Sequence, residues 1–291
     1  MPIPVVLILG MHRSGTSVLT RTLALCGGDL PKSSRFITDI DRETHWEPEL
    51  IVRIHDEELL EPAGRLWRDL DGPSNACLES DEAFRRRLSA AFHEEFADCA
   101  LPVFKDPRLC RLLPLWLPIF RELDVTPHAL ILLRNPLEVA ASLRARDRMG
   151  IRHGLWLWLR HVLDAERHTR AIPRCFVSYE QLLADWRSVI NRAANELGLA
   201  LRPQSKTAEE ELDLFVSKDV SRSRVSMEKL LSRADVPSFV KQAYQSAIQA
   251  CEGTNASLTE LDRISEALTV SDRALTPFRS TYRAWRRYRA K

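Results

Sequence analysis

The chain has 291 residues, 45% of them hydrophobic, enough for a sizeable core in one large α/β domain or one domain with appendages. Its formal charge of +2 is unevenly spread: residues 278–291 carry six basic and no acidic side chains, leaving 36 basic and 40 acidic residues elsewhere, so the main body has no nucleic-acid footprint. Cys26, Cys77, Cys99, Cys110, Cys175 and Cys251 form no C-x-x-C pair and have no histidines spaced as ligands, which excludes a zinc site or disulfide framework; the N-terminal apolar run is too short for a signal peptide, and a soluble cytoplasmic protein is expected.

Val5 to Leu9 is a continuous apolar run, as in a strand buried on both faces of a parallel sheet. Gly10 to Ser17 is a short loop bracketed by glycines, and Leu19, Leu23 and Cys26 then recur at helical spacing until Gly27 and Gly28 stop the helix. Strand, glycine-bracketed loop and helix make a phosphate cradle, with loop amides and a helix N-terminus aimed at one anion. The spacing nearly satisfies the P-loop of nucleotide triphosphatases, but Thr16 stands where that motif needs Lys, and the loop's cation is Arg13.

Gly10-Met-His-Arg-Ser-Gly-Thr-Ser17 resembles the 5′-phosphosulfate loop of sulfotransferases that use 3′-phosphoadenosine 5′-phosphosulfate (PAPS), in which Lys or Arg precedes Ser-Gly-Thr. The resemblance implies that His12, Arg13, Ser14, Gly15, Thr16 and Ser17 bind the phosphosulfate of this co-substrate.

The polar connector from Asp29 to Thr44 reads as a substrate-facing insertion. His45-Trp46-Glu47-Pro48 then opens an amphipathic helix through Leu50, Ile51, Ile54, Leu59 and Leu60. In the bacterial sulfotransferases that the chain resembles, an aromatic-Glu pair sits near the acceptor, which makes Glu47 a candidate general base; equally, Glu47 merely complements a helix dipole. Residues 61–80 read as a loop, and Ser80-Asp81-Glu82 caps a helix carrying Phe84, Leu88, Ala91, Phe92 and Phe96, with Arg85, Arg86 and Arg87 mostly on its solvent face.

Leu101 to Phe104 is a short strand ending in Lys105-Asp106-Pro107-Arg108, and ligands of open α/β sheets bind beyond such carboxyl ends. The cytosolic sulfotransferases have Lys-Thr-His here, with the His as base; this chain has the Lys-Asp-Pro-Arg form common in the bacterial branch. Lys105 is suited to stabilising charge on the transferring group, and Asp106 or Glu47 to taking the acceptor proton. The alternative is a turn in which Asp106 caps the helix beginning at Leu109.

His128 to Leu133 forms the third strand, ending at Arg134-Asn135-Pro136, and a helix follows that carries Ser142 on its second turn. This is similar to the family's 3′-phosphate signature, and implies that Arg134 and Ser142 converge on one phosphate, the Arg contact being worth about 1.5–3 kcal/mol. The family often has Asp at position 135. A metal-triphosphate strand would end in Asp, so with Thr16 and Arg134 in place both determinants of an ATP·Mg kinase are missing. PAPS needs no metal, and none is expected.

Trp156 and Trp158 stripe a helix from Gly154 to Leu163 that reads as core packing. Pro173 to Ser178 is the fourth strand, and Val177-Ser-Tyr179-Glu-Gln-Leu182 resembles a recurring family pattern that implies Tyr179 near adenine. Trp186 to Leu197 is a helix that Gly198 ends, and Glu209 to Asp213 reads as an acidic solvated stretch. By resemblance, Ser221, Arg222 and Arg224 form a late basic loop over the 3′-phosphate; a solvated helix start fits equally. In the tail, Phe278, Tyr282, Trp285 and Tyr288 line one helix face among arginines, which fits docking on the body first, an anionic membrane surface second and nucleic acid third.

The expected fold is a three-layer α/β P-loop-type domain, a central parallel sheet flanked by helices, with residues 1–225 as the domain and 226–291 as a helical extension packed on it. The resemblance implies a sulfotransferase moving a sulfuryl group from PAPS to a hydroxyl or amine of a glycan, lipid head group or small metabolite. Arg13, Glu47, Lys105 and Asp106 are its catalytic candidates, and Arg134, Ser142, Tyr179 and Arg222 join residues 12–17 in binding the donor. A P-loop kinase and a non-catalytic PAPS-binding module are the rival readings.

Overall fold

The chain's first strand, β1 (Ile3–Leu9), is one of the two inner strands of the sheet, and its side chains alternate between two cores. Val5, Leu7 and Leu9 face one, Val6 and Ile8 the other, and all five are fully buried, as a period of two with both faces covered requires. The computed structural model describes residues 2–34, 45–73, 81–220, 225–253 and 258–269. Arg222, Ser221, Arg224, Cys77, the connector at 35–44 and the basic aromatic tail lie outside the described residues.

After the loop at 10–15 comes α1 (Thr16–Leu25), then α2 (Glu49–Arg53), which widens into a π-helical stretch at Ile54–Leu60. The apolar spacing predicts one α-helix there, and a pattern this short does not distinguish the two windings. Next come α3 (Glu82–Phe96), β2 (Val103–Lys105), α4 (Leu109–Glu122), β3 (Val125–Leu133), α5 (Pro136–Asp147), α6 (Ile151–His168) and β4 (Arg174–Ser178). The four strands are parallel in the order β2-β1-β3-β4. β3 begins three residues before the predicted His128 because Pro127 lies within it, opposite Val5. β4 pairs with β3 only from Ala129 onward, so Pro127 has a strand on one side alone, where a missing N–H is tolerated.

Helices cover both faces, giving three layers. α4 and α6 bury Trp116, Phe120, Leu157 and Trp158 with Val5, Leu7 and Leu9. α5 lies against α6 at Gly154, where a Cβ would sit 3.1 Å from the Ala140 Cα, so the absent side chain sets the approach. On the other face, α1 shares one core with the short α7 (Tyr179–Ala184) and with α8 (Trp186–Leu197), which follows it.

Residues 209–213, whose acidic side chains are solvated as expected, are part of α9 (Lys206–Val220), which buries Leu212, Phe215 and Val216 in the α1-side core. Its acidic residues line the outer face, where Glu211 pairs with Arg21, and Asp213 with Arg187. The spacing of Leu212, Phe215 and Val216 is helical, and the charges between them mask it. α10 (Met227–Ser232), α11 (Ser238–Ala250) and a helix over residues 258–269 add to the α4/α6 core, with Tyr244 edge-on to Trp158 at 5.9 Å and Asp262 paired with Arg170. Among the described residues no helix is long and apolar enough to cross a membrane.

Candidate active site

The carboxyl ends of all four strands lie at one edge of the sheet, and each delivers a predicted residue: the loop 10–17 from β1, Lys105 and Asp106 from β2, Arg134 from β3 and Tyr179 from β4. The loop turns through left-handed backbone at Arg13 (φ 70°) and Gly15 (φ 92°). Gly15 caps α1 without offering a side chain to its first amides, and a Cβ there would lie 2.3 Å from the Tyr179 ring. The buried Ser14 hydroxyl and His12 Nε2 have no hydrogen-bond partner among the described residues. A buried hydroxyl without a partner, beside uncapped helix amides, is a donor set suited to anionic oxygen. Burial, then the nearby Arg108 charge, lower the His12 pKa well below its ordinary value.

The two phosphate signatures meet. Arg13 Nε donates to Ser142 Oγ at 2.9 Å, and Arg134 Nη1 donates to the Arg13 carbonyl at 3.1 Å, bracing its left-handed backbone. The Arg134 guanidinium lies 4.6 Å from the centre of the Tyr179 ring, and its Nε donates to Glu138 at 2.9 Å. Tyr179 is thus buried between Gly15 and Arg134. Asn135 does what Asp would not: its Oδ1 accepts from Leu137 N at 3.0 Å as the helix cap, while its Nδ2 donates to the Val225 carbonyl at 2.8 Å. Glu138 accepts from Val225 N at 2.7 Å.

Lys105, almost fully buried, joins the loop to Glu47. Its Nζ donates to Glu47 Oε1 at 2.7 Å and to the His45 carbonyl at 2.8 Å, and lies 3.5 Å from Ser17 Oγ. Trp46 makes this wrap possible by adopting a left-handed backbone (φ 47°), with its ring edge-on to Phe215 of α9. A bulky side chain in that region is strained, and such strain is held only by its surroundings.

Asp106 sits apart from that pair, in a fully buried network. Its Oδ1 accepts from Arg108 N at 2.9 Å and from Arg108 Nη1 at 2.8 Å, and its Oδ2 lies 2.7 Å from His55 Nδ1. Trp116 donates its indole N–H to His55 Nε2 at 2.9 Å, so Nδ1 carries the ring proton and gives it to Asp106. Burial alone would raise the Asp106 pKa; the Arg108 charge and the His55 bond override it and hold the carboxyl well below the usual carboxylate range. Arg108 also grips Asp56 through Nε and Nη2, at 2.8 and 2.5 Å, and its Nη1 is 3.9 Å from Glu47 Oε2.

Sequence reasoning gave no role to His55, Asp56, Arg108, Trp116 or Glu138. Arg108 lay inside the quoted strand-end motif, and Glu138 stands one turn beyond Arg134, an ion-pair spacing on a helix. His55, Asp56 and Trp116 carry no local signal.

A family model described as "Sulfotransferase family" matches residues 4–203. Among solved structures, the "Sulfotransferase Domain from the Curacin Biosynthetic Pathway" is similar at 14% identity over 92% of this chain and 98% of that one, with a TM-score of 0.42. A sulfotransferase from Alicyclobacillus acidocaldarius is similar at 18% identity over 76% and 93%, with a TM-score of 0.40. None of the curated proteins matches the sequence.

Proposed function

Because this chain belongs to the sulfotransferase family, we propose that it transfers a sulfuryl group from PAPS to a hydroxyl or amine of an acceptor. The observation that carries the choice of donor is the 2.9 Å hydrogen bond between Arg13 and Ser142, which joins the loop suited to a 5′-phosphosulfate with the helix suited to a 3′-phosphate. A donor with phosphate at both positions answers both.

The donor supplies the sulfuryl group and leaves as adenosine 3′,5′-bisphosphate. Arg13, the loop amides and the hydroxyls of Ser14, Thr16 and Ser17 hold its 5′ end. Lys105 stands beside Ser17, where charge grows on the leaving oxygen, and a preplaced ammonium there favours the transition state over the ground state. Glu47 takes the acceptor proton as the acceptor oxygen bonds to sulfur and the sulfur–oxygen bond to the phosphate breaks. Asp106 is passed over for that role because both its oxygens are committed to Arg108 and His55; it positions Arg108. Tyr179, in this reading, supports Gly15 and Arg134 from behind the adenine side.

Thermal-shift titration with adenosine 3′,5′-bisphosphate, run beside ADP and ATP·Mg, tests the donor. Stabilisation by the 3′-phosphorylated nucleotide alone is expected, followed by transfer of label from PAPS to an acceptor. Stabilisation by ATP·Mg instead would replace the proposal with a kinase.

A further inference from the structure

Pro48 stands at the N-cap of α2 and offers no side-chain acceptor to the helix's first amides. The first bond within the helix runs from Val52 N to the Pro48 carbonyl, so the amides of Glu49 and Leu50 need other partners. They find them far away in the sequence. Glu49 N donates to Ser33 Oγ at 3.1 Å, and Leu50 N donates to Glu95 Oε1 at 3.0 Å. The other carboxyl oxygen of Glu95 accepts from Ser33 N at 3.1 Å and from Ser33 Oγ at 2.8 Å, and its carbonyl accepts from Lys32 N at 2.8 Å. Ser34 Oγ in turn donates to the Glu47 carbonyl at 3.4 Å. Glu95 lies near the end of α3 and is 3% exposed.

We propose that Glu95 is a positioning residue for sulfuryl transfer: it clasps the start of α2 to residues 32–34 and thereby aims Glu47 at Lys105. The assignment rests on the reading of Glu47 as base given above.

The chain between clasp and base is short and stiff. Pro48 has a fixed φ and disfavours helical backbone at Glu47, the residue before it. Trp46 holds left-handed backbone at φ 47°, which a bulky residue keeps only where its surroundings impose it. Glu95 pins the far side of this stretch at Leu50, and Lys105 holds the near side through the His45 carbonyl at 2.8 Å. Glu47 Oε1 is thereby kept 2.7 Å from Lys105 Nζ. Among the described residues Glu95 bonds to neither Lys105 nor the loop 10–17, so its effect on the chemistry passes through the stretch that carries Glu47.

A carboxylate suits this place better than an amide. Three donors, Ser33 N, Ser33 Oγ and Leu50 N, converge on its two oxygens. Both oxygens of a carboxylate accept, whereas Gln would turn its NH₂ on either Ser33 N or Leu50 N.

The test is acetylation of the folded full chain with sulfo-N-hydroxysuccinimide acetate, read lysine by lysine by mass spectrometry. Lys105, almost fully buried, reports the contact with Glu47. Lys241, which donates to the Leu231 carbonyl at 2.7 Å, reports general loosening. In Glu95→Gln, Lys105 is expected to react at least about tenfold faster than in wild type, the local opening that follows when a buried amide loses its acceptor, while Lys241 keeps its rate. Ser33→Ala, a milder change that takes the hydroxyl out of the clasp, is expected to move Lys105 in the same direction, and decides the matter if Glu95→Gln does not fold. A Lys105 rate that stays unchanged in the variants that fold overturns the proposal, as does a Lys241 rate that rises in step with it. The reading beneath the proposal fails separately: if Lys105 responds as expected but Glu47→Gln transfers label from PAPS at the wild-type rate, Glu47 is not the base and the clasp has no catalytic part.

Discussion

Arg13 and Ser142 are 129 residues apart in sequence and share a hydrogen bond of 2.9 Å, while Arg134 holds the Arg13 carbonyl from the other side. Arg13 is thus aimed by the helix that carries the second phosphate signature. Arg13→Ala is expected to lower turnover about 10²–10³-fold at saturating PAPS, the usual loss of one preplaced electrostatic donor. Ser142→Ala is expected to weaken adenosine 3′,5′-bisphosphate binding and to cost less turnover. Initial rates and nucleotide titration of the two variants check the pair; near-full rate in Arg13→Ala would remove Arg13 from the chemistry.

Glu47 and Asp106 should separate by rate. Glu47→Gln keeps a hydrogen-bond acceptor for Lys105 and is expected to cut turnover about 10²–10⁴-fold as the base is lost. Its unfolding midpoint should fall too, because the buried Lys105 loses its carboxylate, so the rate is measured where the variant is still folded. Asp106→Asn leaves the buried Arg108 short of one of its carboxylates and is expected to destabilise the fold by about 3–5 kcal/mol. Urea unfolding beside rate measurement assigns each residue; a stable, inactive Asp106→Asn would return it to the catalytic set.

At Gly15 the strain has two sources. Gly15→Ala must adopt φ 92° and would place its Cβ 2.3 Å from the Tyr179 ring. Overpacking of this kind costs about 1–3 kcal/mol, with the backbone penalty added. Tyr179→Leu removes the ring atoms that clash, so the double variant should regain part of that stability. A double-mutant cycle by denaturant unfolding measures the coupling, and strict additivity would place the ring elsewhere.

Acid should weaken the fold before carboxylates titrate. Burial pushes the His161 pKa down to about 3, against about 6.5 in an unfolded chain. Between those values the unfolded chain binds a proton that the folded chain refuses, so stability is full above about pH 6.5 and drains away as pH falls toward 3. At pH 5 the loss from His161 alone is about 2 kcal/mol. Asp106, held low, keeps its contribution near pH 5 and gives it up as pH falls through its ordinary value of about 3.8 and below. Unfolding free energies at pH 7 and pH 5 should differ less in His161→Gln than in wild type; an unchanged difference would mean that His161 is not the group responsible.

What was legible in the sequence followed local rules. The apolar run of β1, the glycine spacing after it, Arg134 at a strand tip and Pro136 opening a helix all announce themselves within a few residues. What was not legible depends on partners far along the chain. The two oxygens of Asp106 are claimed by His55, 51 residues earlier, and by Arg108, and no periodicity reveals the first. Asn135 reads as a departure from the family's Asp until Val225 is seen to need an amide. The left-handed backbone of Trp46 is invisible in a residue type that rarely adopts it.

The grip of Asn135 and Glu138 on Val225 bears on where this protein can be cut. Both the N–H and the C=O of Val225 are held by side chains of α5, the helix that carries Ser142. The family match ends at residue 203, and a fragment trimmed to that limit would strand a buried amide and half of a buried carboxylate next to Arg134. Left without Val225, Glu138 would answer to Arg134 alone and draw its charge away from an incoming phosphate. The shortest chain that keeps the proposed nucleotide site intact therefore runs past Val225, well beyond the region by which the family is recognised.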